Sequence, residues 1–260
     1  MTKLGEYKTK LKQLKNWDAF LLKESGLPGP RANLELVQAV ADEGNAELFE
    51  RYLTYDPLQA PTNSPQVFLA VCGVVGLGRL AAEGNRSVLQ TLRGFASDPR
   101  WRMREGVAMA LQQLGDQDMD ALLREAAQWS KGNPLEQRAA AAGICEPRLL
   151  HNADQAARVL KILDDITASI AKIDDRKSEA FIALKKGLAY CWSVAVAALP
   201  TDGQKQMEQW LTSTDKDIIW IMRENLKKNR LARMDAVWVE KCQTKLARPN
   251  RSAKRPKKQL

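Results

Sequence analysis

Asp98-Pro99-Arg100-Trp101-Arg102-Met103-Arg104-Glu105 and Asp217-Ile218-Ile219-Trp220-Ile221-Met222-Arg223-Glu224 fit one pattern, D-x-x-W-x-M-R-E. The second begins about 120 residues after the first, a gap that three steps of about 40 residues would span, and that is the length of a two-helix repeat. An octet returning at that interval marks a chain built of serial helical units. The segments around and between the octets should therefore be helices joined by short turns.

Outward from the octets, the sequence meets that expectation. Residues 4 to 25 predict a first helix, with Leu11, Leu14, Phe20, Leu21 and Leu22 as its apolar stripe and Gly26 at its end. Leu27-Pro28-Gly29-Pro30 breaks the chain. Helices follow over 33 to 43, ending at Gly44, and over 45 to 53. Tyr55 to Pro65 carries Pro57, Pro61 and Pro65 and is irregular, because a helix does not run through that spacing. Gln66 to Ala82 is apolar throughout and long enough to be a buried helix, and Gly73, Gly76 and Gly78 would let another helix come close. Further helices are predicted over 87 to 95, from Asp98 (as N-cap, with Pro99 first in the helix) to Leu114 with Gly115 as the stop, and over 119 to 130. The next starts at Asn133-Pro134 and runs to Ile144. Then come 152 to 173, 178 to 199 ended by Pro200, and 202 to 211. A last pair opens at Asp215 or Asp217, reaches Leu231 and continues through Met234 to about Leu246. No segment alternates with period two. The fold class is all-α with no β-sheet, a right-handed α-solenoid of stacked antiparallel helix pairs. Three regions are expected: N-terminal helices and connector (1–65), helical repeats (66–246) and a basic tail (247–260).

The net charge of +9 belongs mostly to one end. Eight Lys and Arg and no acid lie between 241 and 260, so the rest of the chain holds 32 basic against 31 acidic groups. A near-neutral body with a basic tail does not make the whole protein a polyanion binder. Cys72, Cys145, Cys191 and Cys242 are far apart, form no C-x-x-C pair, and His151 is the single histidine. That excludes the usual zinc spacings and predicts reduced thiols in a cytoplasmic protein without metal or cofactor. No apolar run is read as a membrane span, and Walker, H-E-x-x-H and G-x-S-x-G motifs are absent.

The Asp that opens a repeat's second helix and the Arg six positions later recur at Asp98/Arg104 and Asp217/Arg223; at Asn133-Pro134 the match is looser, with Arg138 one position early. This resembles HEAT repeats, over 87–150 and 202–233 most clearly. The resemblance implies a curved superhelix whose second helices line the concave face, with such an arginine bonded to a neighbouring turn. It implies no reaction. A more distant resemblance is to the HEAT-like alkylpurine DNA glycosylases, which cradle DNA on a basic concave face and use an Asp near Trp residues. Trp17-Asp18 is the adjacent Trp-Asp pair here, so Asp18 is the catalytic candidate that resemblance implies. The near-neutral body departs from that family's cradle.

The binding candidates are Trp101 and Trp220, flat aromatics at one repeat position; Arg104 and Arg223, able to hold a carboxylate or phosphate; and Lys227, Lys228 and Arg230. Arg223, Lys227 and Arg230 follow at i, i+4 and i+7 and should share a helix face, continued by Lys254 to Lys258 into a basic patch. For each aromatic or arginine the alternative is packing between repeats. The reading is a non-catalytic scaffold whose concave face engages a protein partner, with a basic C-terminal helix and tail for acidic surfaces or nucleic acid. The alternative is a DNA-binding or DNA-repair protein.

Overall fold

A computed structural model describes residues 2–247, among which there are helices and no strand. The basic tail expected from 247 onward, Lys254 to Lys258 included, therefore lies outside the described residues except for Ala247. The helices are α1 (Lys3–Gln13), α2 (Asp18–Glu24), α3 (Leu34–Glu43), α4 (Ala46–Leu53), α5 (Gln66–Ala82), α6 (Val88–Phe95), α7 (Trp101–Gln117), α8 (Met119–Trp129), α9 (Pro134–Ile144), α10 (Ala153–Ser169), α11 (Glu179–Ala198), α12 (Pro200–Trp210), α13 (Lys216–Leu226), α14 (Asn229–Met234) and α15 (Ala236–Ala247). Short 3₁₀ turns occupy Pro147–Leu149 and Ile170–Lys172.

Two rows are stacked. An inner row runs α3, α5, α7, α9, α11, α13, α15, each helix packed on the next, and α8, α10 and α12 form the second row behind it. The core is one continuous cluster from Leu11 to Cys242, as expected when no single helix pair can bury its own apolar face. The two octets open α7 and lie in α13, with α9 and α11 between them: the three steps their spacing predicts. Two hydrogen bonds skip a helix. Gln113 on α7 donates to Gln38 on α3 at 3.2 Å, and Arg104 on α7 donates to Glu179 on α11 at 2.9 Å. Side chains two places apart in a row meet only on the side toward which the row bends, so the inner row is the concave one.

Starts are set by short polar caps. Asn33, Asn45, Asp118, Asn152, Ser178 and Asp215 each accept a backbone N–H from the first turn of the following helix, and Asn133 forms a capping box with Glu136 ahead of Pro134. The glycines of α5 serve close packing: a methyl group on Gly78 would fall 2.4 Å from Ala110 Cα, and one on Gly76 would fall 2.3 Å from the Phe49 ring.

Several boundaries differ from expectation. The single helix over 4–25 is two, because Leu14 is extended, Trp17 Nε1 donates to the Leu11 carbonyl at 3.0 Å, and Asn16 accepts from Asp18 N to restart the chain. Asp98 is not an N-cap: its carboxylate turns onto Arg100 N and the Arg100 guanidinium, and α7 begins at Trp101. Gly115 does not stop α7; it makes room for Leu122 and Leu149. Pro200 opens α12 rather than only ending α11. Asp215, not Asp217, caps α13. Finally, Glu179–Ala198 is long and apolar enough to cross a membrane, a feature hidden by Lys185 and Lys186. It packs against α9, α10, α12, α13 and α14, and that central place accounts for its apolarity.

Candidate functional site

Three hollows line the inner row. One, of about 770 Å³, lies between the 27–35 segment, α5 and α7. A second, of about 650 Å³, crosses α7, α9 and α11. They share Trp101, Glu105, Ala108 and Gln112, and so form one groove. Small side chains make the depression: Gly106 and Ala108 on α7, Ala142 on α9, and Ala183 and Gly187 on α11 are its floor. Arg31, Arg102, Arg104, Arg138 and Lys186 face Glu35, Glu105, Glu146 and Glu179 around it, so the groove is mixed in charge.

Trp101 stands on the ridge between the two hollows and is 44% exposed. Its position is fixed by Arg102, whose guanidinium lies 4.3 Å from the indole centroid. Arg102 is in turn buried and donates to Thr62 O at 3.0 Å and Gly29 O at 2.7 Å. Beside it, buried Arg100 chelates Asp98 and donates to Tyr55 O and Ala60 O. The proline-rich connector is therefore strapped onto the first turn of α7 by two arginines. Sequence reasoning passed over both. A signal was there: three arginines in one helical first turn oppose the positive end of the helix dipole, and they stay only if other groups hold them.

Arg104 is buried and donates to Asp98 O (2.8 Å), Pro99 O (3.0 Å) and Glu179. It has the turn-binding role that the family pattern implies, and little of its surface is exposed. Arg138, the looser match to the repeat's arginine, donates to Arg104 O and pairs with Glu105, tying α9 to α7 in the groove wall. Arg223, at Arg104's octet position, is exposed instead. Trp220 likewise departs from Trp101. It is half-buried on α13 under Lys185, whose ammonium lies 4.5 Å from the ring and bonds to Asp217 at 2.8 Å. The octets thus share a place in the stack and differ in surroundings.

The expected basic face on one helix is not formed. The last turn of α13 ends at Leu226 and the chain restarts at Asn229, so Arg223 and Arg230 sit on different helices. That break instead gathers Lys227, Lys228, Arg230 and Arg233 around a third hollow of about 740 Å³, walled by Val194, Ala197 and Ala198 at the end of α11 and by Leu150. It adjoins the main groove at Tyr190, which is 44% exposed. Arg230 donates to the Tyr190 hydroxyl at 2.5 Å and lies 4.7 Å from its ring centroid. Nothing in the local sequence marks Tyr190, since its partner comes 40 residues later.

Asp18 lies away from all of this. Arg51 binds both its oxygens, at 2.6 and 2.8 Å, and the Tyr52 hydroxyl donates at 2.8 Å. The Arg51 hydrogen bonds hold the Asp18 carboxyl below the usual carboxylate range against the opposing effect of burial. It is a brace between α2 and α4, and the groove does not contain it. Cys145 and Cys191 border the main groove and burial pushes the Cys145 thiol up, which suits the reduced, inert thiols expected.

Comparison with known proteins agrees with the helix stacking. Residues 63–145 match the family described as HEAT repeats. Neither a comparison with curated proteins nor one with solved structures gave a match. The matched segment comprises the last of the connector with α5 through α9, which includes the strapping arginines and the α7 and α9 part of the groove floor, and over that segment the chain is built of HEAT repeats.

Proposed function

We propose that this HEAT-repeat chain is a non-catalytic scaffold whose inner groove, from Trp101 to Tyr190, holds a segment of a protein partner. The carrying observation is the groove's make-up. Its floor is Gly and Ala, three large side chains (Trp101, Ile182 and Tyr190) stand 40 to 44% exposed along it, and its rim combines Arg and Lys with Glu. Exposed aromatic anchors set in a charge-balanced rim suit a polypeptide. The wholly internal thiols suit a reducing compartment, and we place the protein in the cytoplasm.

Affinity capture with the full chain tests this. Wild type and an outer-row variant, Arg158→Glu, should recover the same polypeptides, and Ile182→Glu should lose them. Capture unaffected by Ile182→Glu would move the partner off the groove. The four-cation hollow favours a second reading, a nucleic-acid contact at the C-terminal end of the stack, with affinity falling steeply as salt rises. Duplex DNA titrated at two salt concentrations distinguishes that contact from the groove function. A glycosylase-like reading would need its acid in the groove, and Asp18 is committed to Arg51 and Tyr52 elsewhere.

A further inference from the structure

We propose that the cleft lined by Lys227, Lys228, Arg230 and Arg233 receives the carboxylate-rich end of the polypeptide segment seated in the inner groove. This rests on the groove reading above and specifies the partner's chemistry.

The cleft offers four cations and no lining carboxylate among the described residues. Glu224, just outside, is bonded to Lys227 at 2.5 Å and offsets one of them. Val194, Ala197 and Ala198 form an apolar wall that lowers the local dielectric, so an anion seated there feels these cations more strongly than it would on open surface. Arg230 is held in place by stacking on Tyr190 and bonding to its hydroxyl, and it keeps guanidinium edges for a carboxylate.

The excess of cations over carboxylates ends at Tyr190. Beyond it, Glu105, Glu146 and Glu179 face the groove alongside their basic neighbours. A phosphodiester chain carries charge at every step, and its continuation along the groove would run past those carboxylates. A polypeptide can change character along its length, acidic at the cleft and apolar at Trp101 and Ile182. The distance is consistent with this. From α7 to α13 is three interhelix steps of about 8–10 Å, which an extended chain covers in about eight residues. The occupant is therefore a segment with an aromatic or aliphatic anchor and, about eight residues away, a cluster of Asp or Glu.

The test is fluorescence anisotropy on the full chain. The probe is a labelled synthetic peptide of about twelve residues with Trp near one end and consecutive Glu at the other. A scrambled peptide of the same composition and oligothymidylate serve as comparisons. The ordered peptide should bind more tightly than the scrambled one. Lys228→Glu/Arg233→Glu should weaken it at least about tenfold, since each reversal replaces an attraction with a repulsion. Arg233 is exposed and Lys228 half-buried, and a thermal melt confirms that the variant is folded. Lys228→Gln/Arg233→Gln is the gentler second variant and should give an intermediate loss. If Ile182→Glu weakens the peptide and the cleft variants do not, the cleft proposal is overturned and the scaffold reading stands. If neither site matters, or no peptide binds, both are overturned. Oligothymidylate binding more tightly than the peptide and lost in the cleft variants would assign the cleft to nucleic acid and overturn the proposal.

Discussion

Replacing Arg100 with Ala tests whether the connector strap supports the stack. Arg100 is 3% exposed and Asp98 9%. The guanidinium meets both carboxylate oxygens, at 2.9 and 2.7 Å, and its remaining nitrogen donates to Tyr55 O at 2.8 Å and Ala60 O at 3.3 Å. Removing one partner of a buried pair costs about 3–5 kcal/mol because the other charge is left unmatched. Here Asp98 keeps its bond from Arg100 N at 2.7 Å, which places the loss nearer the lower figure. The Tyr55 and Ala60 carbonyls, left without this donor, add about 1 kcal/mol or more. The expected total is about 4 kcal/mol. Asp98→Asn/Arg100→Met removes both charges and leaves only the two carbonyls short, so it should cost about 1–3 kcal/mol and be the more stable of the two variants. A stack of repeats can unfold in parts. Urea melts by far-UV circular dichroism therefore need a local companion, hydrogen exchange of amides in 55–65 and the start of α7, where protection should fall first. A cost under about 1 kcal/mol for Arg100→Ala, or a double variant no more stable than the single one, would refute the argument.

Other outcomes are expected as well. Gly78→Ala drives a methyl group to 2.4 Å from Ala110 Cα and 2.6 Å from its carbonyl oxygen; the strain of about 1–3 kcal/mol exceeds the helix-propensity gain of about 1, so the melting temperature drops, whereas Gly94→Ala, with nothing within 4 Å, should raise it. Asp215→Ala removes the bonds from Asp217 N and Ile218 N and should lose about 1 kcal/mol in a chemical melt. Asp217→Ala should be destabilising for a different reason, since Arg176 and Lys185 lose their shared carboxylate. Asp18 is held below its ordinary pKa in the folded state chiefly by Arg51, so its contribution is complete above the unfolded carboxyl pKa of about 3.9 and fades as pH falls through the lower folded value; stability curves of wild type and Asp18→Asn should converge on acidification below about pH 4 and stay apart at neutral pH.

Much of the fold was legible because its signals are local. Gln66–Ala82 has Pro65 before it and an unbroken apolar run within it; Asn133-Pro134 and Ser178 carry their caps in the sequence. What was not legible depends on partners far along the chain. Asp98-Pro99 reads as a helix start until Arg100, tied to residues 55 and 60, draws the carboxylate away. The i, i+4, i+7 face of Arg223, Lys227 and Arg230 assumes a helix that the chain does not continue past Leu226. The site divides in the same way. Trp101, Arg138 and Arg230 were visible as residue types at a spacing, while Tyr190 gained its role only when helices some 40 residues apart came side by side.

The groove and the stack's curvature have a common cause. Most ion pairs between repeats join neighbours one step apart: Arg86 with Asp118, Arg93 with Glu136, Arg148 with Asp116, Arg158 with Asp120. Pairs of that kind hold successive repeats together and say nothing about bending. Arg104 with Glu179 reaches across a whole helix, and the helix it crosses is α9, whose C-terminal half is Ala139-Ala140-Ala141-Ala142-Gly143. A methyl group on Gly143 would already crowd the Leu111 side chain at 2.8 Å, so the absent side chain at 143 is what lets Leu111 of α7 seat against α9. A thin helix between two thicker ones lets the outer two approach, bends the row toward that side and leaves a depression over itself. Glu179 is 79% exposed by side chain, and an exposed ion pair contributes at most about 1 kcal/mol, so the bond follows from the bend and does not produce it. The depression over α9 therefore follows from small side-chain volume there, with Ala142 of the alanine run in its lining.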